Sequence, residues 1–348
     1  MSNNKRNVFI STYDNEWKGV ADVLCKRLSF NVVDLHGKEY GNFPTRRVLL
    51  KKEWENVKNL HKYLRKFNHS GIVICSNYAA LYLLFLRKMR ILKCDTLIWF
   101  GVYVHNPKMF SIIKRYLKVF IKKGDDFFKI VVFSKPEIKL YSNAFSLPKD
   151  NFLYIPYGEW NQDRVIQRGE MGDYFFSGGY ANRDFVTLAR LFQNKSWKLF
   201  IAASKANEDF VKYYNTTELS KNITVMWDIP VDEFNLLLQN CRALILLMKY
   251  NTGASGQVVL LHALQYGKLI VASYTDVVDE YIRNDETGIV INEKTDESIT
   301  TAMNWLNDSK NVDTIETITE NGYQHYLDKF SYDAISNCLV KVISEYIQ

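Results

Sequence analysis

Two glycine steps, Gly178-Gly179 and Ser255-Gly256, and three cations, Arg183, Lys205 and Lys249, have the types and spacing to hold a multiply charged anion. Ser255-Gly256-Gln257-Val258 opens an expected helix, Val258–Tyr266. Backbone N–H groups at a helix start bind phosphate-like anions. Gly256 lets the backbone come close, and Ser255 suits an N-cap. An ordinary capped helix fits the same four residues. Gly178-Gly179 follows an expected strand and precedes a helix, so a tight turn beside an anion and a plain turn both fit. Arg183, Lys205 and Lys249 lie just after or near expected strand ends in an acidic half of the chain. A cation there would stabilise a phosphate leaving group, and a solvated surface charge is the other reading for each.

Groups able to move protons stand elsewhere. His105 ends the expected strand Thr96–Val104 in the run YVHNPK, where an imidazole can hydrogen-bond a substrate or accept charge. A structural or exposed histidine is the plainer reading. Thr12, Asp14 and Glu16 occupy the loop after the first strand. Asp14 or Glu16 could act as a general base on a hydroxyl, and an N-cap with first-turn acids is the rival reading. The five cysteines are odd in number and form no CxxC pair, which argues against a disulfide framework and a zinc site. No DxD-type metal motif is well placed, so neither a metal nor an organic cofactor is expected.

The elements that must position these residues alternate along the chain. Short apolar β-rich runs, such as GIVIC (71–75), TLIWFGVYV (96–104), KIVVF (129–133) and WKLFIAA (197–203), are separated by longer amphipathic stretches. Nearly all-apolar strands are buried on both faces, as in a parallel sheet covered by helices. With 348 residues, two domains are the natural expectation. The segment Asn151–Gln167, with Pro156 and Gly158, reads as the linker. The expected fold is α/β, with two doubly wound, Rossmann-like domains, 1–158 and 159–330, facing each other across a cleft. Ligands bind at the carboxyl edge of such sheets.

The net charge of +7 is unevenly spread. Residues 1–158 carry 28 Lys and Arg against 12 acids, and residues 159–348 carry 17 against 26. The first half therefore faces something anionic. In SIIKRYLKVFIKK (111–123), Ile112, Ile113, Tyr116, Leu117, Phe120 and Ile121 share one helical face, and Lys114, Arg115, Lys118, Lys122 and Lys123 share the other. With the apolar face packed inward, the basic face suits electrostatic contact with anionic lipid rather than insertion; a solvated helix is the bland reading. No nucleic-acid-binding motif is present and the second half is acidic, which argues against nucleic acid. The Met1 end shows no signal peptide and the longest apolar run, 78–86, is too short to span a bilayer. The expected location is cytoplasmic, including a peripheral position on the inner face of the membrane.

Four segments, about half the chain, resemble glycosyltransferase family 4 (glycosyl transferases group 1), enzymes of the GT-B fold. They are VVFSKPEIKLYSNAFSLPKDNFLYIPYG (131–158), YFFSGGYANRDF (174–185), TGASGQVVLLHALQYGKLIVASYTDVVDEYIRNDETGIVI (252–291) and YLDKFSYDAISNCLVKVISEYI (326–347). The last is similar to a terminal helix, here 331–348, that packs back on the first domain. The resemblance implies that the second domain binds a nucleotide sugar and the first an acceptor. It places Thr252, Ser255, Gly256, Gln257 and Val258 against the donor, His105 beside the donor sugar, and Trp227 and Ile229 in the loop that cradles the base. A core tryptophan is the other reading of Trp227. Family 4 members usually carry two glutamates around the small-residue loop. Here the second position is His262 and the first falls among Thr252–Ser255, so the sugar or ribose must be held differently.

The expectation is a retaining, metal-independent transfer of a sugar from a UDP- or GDP-sugar to a saccharide. Family resemblance and the basic first half together suggest a lipid-linked acceptor in bacterial surface polysaccharide assembly. A nucleotide-sugar epimerase and a catalytically silent GT-B partner subunit are the rival readings.

Overall fold

The computed structural model describes residues 7–11, 17–34, 55, 58–61, 70–76, 78–102, 104, 107–122, 124–162, 167–251 and 255–347. The chain divides into two compact units, Met1–Asp163 with Tyr332–Gln348, and Arg164–Ser331.

In the first unit the sheet order is β2 (Asn31–Asp34), β1 (Val8–Ser11), β3 (Ser70–Ser76), β4 (Cys94–Phe100), β5 (Phe128–Val132) and β6 (Phe152–Tyr154), all neighbours parallel. The period of two along each strand divides its residues between two cores. Val8, Ile10, Val73, Leu97, Trp99 and Ile130 are buried on one side with α2 (Ala79–Lys88), α3 (Pro107–Phe120) and α4 (Lys135–Phe145). Phe9, Ile72, Ile74, Ile98, Phe100 and Val131 are buried on the other with α1 (Lys18–Leu28) and the C-terminal helix α12 (Tyr332–Ser344), which contributes Ile335, Leu339 and Ile343. Double coverage is why these strands read as unbroken apolar runs.

The second unit is likewise parallel, in the order β12 (Ile289–Ile291), β11 (Leu269–Ser273), β10 (Ala243–Leu246), β7 (Tyr174–Gly179), β8 (Lys198–Ala203) and β9 (Ile223–Trp227). One face carries a core that includes Phe175, Ile201, Ile245 and Val271 with residues of α5 (Phe185–Phe192), α6 (Glu208–Thr216), α10 (Asp296–Asn307) and α11 (Val312–Lys329). The other face packs α7 (Val231–Gln239), α8 (Gln257–Gln265) and α9 (Val278–Tyr281). The chain leaves β7 toward β8 on one side and reaches β10 on the other. The carboxyl ends of β7 and β10 therefore frame the crevice that such a reversal of strand order opens.

Three local expectations change. Asn151–Gln167 is not a linker throughout: Phe152–Tyr154 pairs with Ile130–Val132 as an edge strand, held by Asn151, whose Nδ2 donates to the Phe128 carbonyl at 2.8 Å. Three residues ahead of a proline were too short to show a period. Helix α6 lies in a stretch read without an element, because its exposed polar residues mask an apolar stripe that buries Phe210. On α3, Ile113 and Leu117 are buried but Ile112 is exposed, so the apolar residues of this helix do not all face inward.

Leu339 is fully buried, so Leu339→Ala should destabilise the first unit by roughly 2–5 kcal/mol. Equilibrium denaturation followed by tryptophan fluorescence checks this; a loss under 1 kcal/mol would mean that α12 is not an integral part of this core.

Candidate functional site

A cavity of about 400 Å³ opens within the second unit at the carboxyl ends of β7, β8 and β10. Tyr180, Asn182 and Arg183 enter from the loop after β7, Ala206, Asn207, Glu208 and Asp209 from the loop and helix start after β8, and Lys249, Tyr250 and Ser255 from the loop after β10. Side-chain amides tie these loops together. Asn182 Nδ2 donates to the Tyr250 carbonyl (2.8 Å) and its Oδ1 accepts from the Tyr250 N–H (3.0 Å). Asn207 Nδ2 donates to the Tyr180 carbonyl (2.7 Å) while its Oδ1 accepts from the Ser204 N–H (2.8 Å).

Arg183 is the central group. It is only 4% exposed. Its Nε donates to the Gly178 carbonyl at 2.9 Å, and its Nη1 donates to the Ala181 carbonyl at 2.6 Å and lies 3.4 Å from Met248 Sδ. Among the described residues no carboxylate pairs with it. The adjacent Asp184 is engaged elsewhere, accepting from the Thr187 N–H (3.2 Å) and from Lys294 Nζ (2.7 Å). Burial opposes charge on Asp184, but these two donors more than offset it and hold the carboxyl below its ordinary value. Burial alone pushes the Arg183 guanidinium down to about 10. A buried cation with no counter-ion is costly, and an anion entering the cavity relieves that cost.

The start of α8 reinforces this field. Its N-cap is Gly256 at φ +96°, with no side-chain cap. This corrects the expected Ser255 cap: the left-handed turn at Gly256 starts the helix at Gln257 and puts Ser255 on the cavity wall. A Cβ at Gly256 would stand 3.9 Å from Arg183 Nη1, and one at Gly179 (φ +117°) would stand 2.8 Å from Nη2. Gly179 thus leaves room for the guanidinium, while a Cβ at Gly256 would press first on Leu246 and Met248, each 3.3 Å away. The positive end of a helix and a buried guanidinium converge on one cavity, as an oligophosphate requires.

Other expected residues distribute unevenly. Lys249 lines the cavity and is ion-paired with Asp209, whose carboxyl it holds below the ordinary range. Lys205 is exposed and away from the cavity wall; its backbone N–H donates to Asp228. Trp227 packs on Phe210 (5.6 Å) and edge-on to Tyr214 (5.4 Å), so its ring serves the contact between β9 and α6. Ile229 follows it, half-buried, and does not line the cavity. Gln257 is buried and Val258 exposed on the first turn of α8. His262, a turn further on, lies 3.1 Å from Asn235 Oδ1 through Nδ1 and is off the cavity wall. His105, Asp14, Glu16, Thr252 and Lys123 lie outside the described residues. Sequence reasoning missed Tyr180, Asn182, Asn207, Asp209 and Tyr250. Turn-forming Asn and rim Tyr carry no periodic signal, and only their position after strand ends could have flagged them. Among the described residues, no group of three or more His, Cys, Asp or Glu gathers as a metal site.

Arg183→Met should leave the unliganded protein within about 1–3 kcal/mol of wild type, since two carbonyls lose a donor while an uncompensated charge disappears. Stabilisation of the wild type by pyrophosphate should vanish in this variant, as read by thermal shift. A guanidinium with a lowered folded-state pKa is a cost below that value and is relieved above it. Wild-type pyrophosphate affinity should therefore fall as pH rises through about 10. An affinity indifferent to both changes would remove Arg183 from the site.

Residues 183–325 match the model of glycosyl transferases group 1. By sequence, no curated protein matches the chain. Similar solved structures include a glycosyltransferase from Rickettsia africae (TM-score 0.68, 14% identity, covering 99% of each chain). Sucrose-phosphate synthase from Thermosynechococcus elongatus is also similar (0.68, 12%, covering 98% of this chain and 99% of that one), as is Anabaena HepE in complex with UDP and glucose (0.65, 10%, covering 98% and 100%). The chain thus has the α/β architecture of two Rossmann-like units found in GT-B glycosyltransferases, and its second unit carries the glycosyl transferases group 1 pattern.

Proposed function

We propose that this protein is a glycosyltransferase whose second unit binds a nucleoside-diphosphate sugar and whose first unit presents a saccharide, lipid-linked, in surface polysaccharide assembly. The observation that carries this reading is the unpaired Arg183 guanidinium beside the start of α8 in the cavity at the β7/β10 reversal. The group 1 match over the same residues supports it, and so does the UDP held by Anabaena HepE. In the reaction, the acceptor hydroxyl oxygen bonds to the anomeric carbon as the bond from that carbon to the diphosphate breaks. The electron pair leaves with the diphosphate, and the hydroxyl proton passes to a base. Arg183, Lys249 and the N–H groups opening α8 would neutralise the departing charge, with no resident metal assigned that task. Tyr180 and Tyr250, both exposed on the rim, offer faces for the base or sugar. Retention of configuration and a UDP- or GDP-linked donor complete the proposal.

A panel of nucleotide sugars in a thermal-shift screen should pick out one donor class. Arg183→Ala and Lys249→Ala should each weaken that donor's affinity by roughly 10–100-fold, the scale of one charge-assisted hydrogen bond. Nucleoside diphosphate should be released slowly until a saccharide acceptor is added. Isomerisation of the donor sugar without an acceptor would indicate an epimerase, and donor binding without turnover a silent subunit; either would displace the transferase reading.

A further inference from the structure

The solvent side of α3 is not purely basic. Lys108, Ile112, Arg115 and Val119 fall at spacings of four, three and four, one above another on the helix, and all four are exposed. Ile112 is 58% and Val119 65% exposed, although the same helix buries Ile113 and Leu117 completely in the core. Lys114 and Lys118 flank this stripe, also exposed. The apolar surface continues onto α2. The Phe85 ring meets Phe120 edge-on at 6.1 Å, and Met89, one turn beyond Phe85, is 56% exposed. Between Ala79 and Lys122 the chain carries nine Lys or Arg and one acid, Asp95.

We infer that this face of the first unit docks on an anionic phospholipid bilayer, with Ile112 and Val119 seated among the acyl chains and the surrounding cations at the phosphates. One partner can engage both halves of the surface only if it carries phosphate and hydrocarbon together. A nucleic acid or an acidic protein loop would satisfy the cations but leave branched aliphatics facing phosphates or carboxylates. A lipid surface offers phosphate and hydrocarbon within the 5–10 Å depth that an interfacial helix explores. Among the described residues no helix is long and apolar enough to cross a membrane, so the contact is a surface one. The exposure of Ile112 and Val119 adds an apolar component to the electrostatic contact expected from the sequence. The inference deepens the proposed function by naming how a lipid-linked acceptor is approached. It rests on that reading only for its purpose, because vesicle binding requires no turnover.

The test is co-sedimentation of the full chain with mixed vesicles of phosphatidylcholine and phosphatidylglycerol, which carry a negative surface potential, against phosphatidylcholine alone. The wild type should bind the anionic vesicles and not the neutral ones. Ile112→Ser combined with Val119→Ser should lower partition on the order of tenfold or more without altering its salt dependence. Arg115→Gln combined with Lys118→Gln should lower it roughly fivefold per cation and flatten the salt dependence. All four positions are exposed, so folding should survive. A wild-type melting curve confirms that it has. Absence of wild-type binding overturns the proposal. So does partition that ignores the aliphatic pair, which marks electrostatic adsorption alone, and so does tighter binding to a DNA or RNA oligomer than to vesicles. Failure here leaves donor binding untouched, and failure of donor binding leaves this result standing.

Discussion

A guanidinium enclosed by protein, with two nitrogens bonded to backbone carbonyls and, among the described residues, no carboxylate opposite, sets the terms for the second unit. Removing that charge from water is expensive, and the interior returns only neutral dipoles. The arrangement persists because the neighbouring backbone is built around it. Gly179 keeps side-chain atoms away from Nη2, Met248 supplies a soft contact, and Asp184 is drawn off by Lys294. Such a centre is poised for an anionic ligand, since binding supplies the missing counter-charge and satisfies open donors at once.

The position of this centre follows from the order of the strands. β7 lies between β8 and β10, and the chain departs from and returns to it on opposite sides. The loops after β7 and β10 must therefore part at their carboxyl ends, and the parting is the cavity. Asn182 and Asn207 stop it from spreading further by bonding backbone groups of loops far away in sequence. The Lys249 N–H, donating to the Asn182 carbonyl at 3.2 Å, adds a backbone tie to these amide contacts.

The two units carry net charge of opposite sign. The second is acidic overall, and at its cavity Lys249 is ion-paired with Asp209, so the charge left without a carboxylate among the described residues is the buried Arg183 guanidinium. The first accumulates cations on helices whose inner sides are fully used by the core. Its outer side then mixes Lys and Arg with Ile112 and Val119, side chains that packing alone does not explain.

Much of the architecture was legible in the residues. Runs such as GIVIC and KIVVF announce strands covered on both faces, because no polar residue marks a solvent side, and their alternation with amphipathic stretches leads to parallel sheets. Ser255 and Arg183, both singled out from the sequence, line one cavity. The short edge strand 152–154 and helix α6 were not legible, since three residues show no period and a single buried Phe210 makes a faint stripe. Nor could the sequence tell Arg183 from Lys205. Both are cations near strand ends, but one is enclosed with no carboxylate among the described residues and the other is solvated, a difference set by packing from Met248 and Gly179. Trp227 was read as a wall for a base or as core, and the Phe210 and Tyr214 rings around it are contributed by a helix absent from the sequence reading. Periodicity and composition alone determined the class of fold, the pairing of two units and the sign of each unit's charge, because those depend on averages over many residues. Which charge is buried, which loop meets which, and which aliphatic faces water were decided only by the tertiary structure, because each depends on a few atoms brought together from distant parts of the chain.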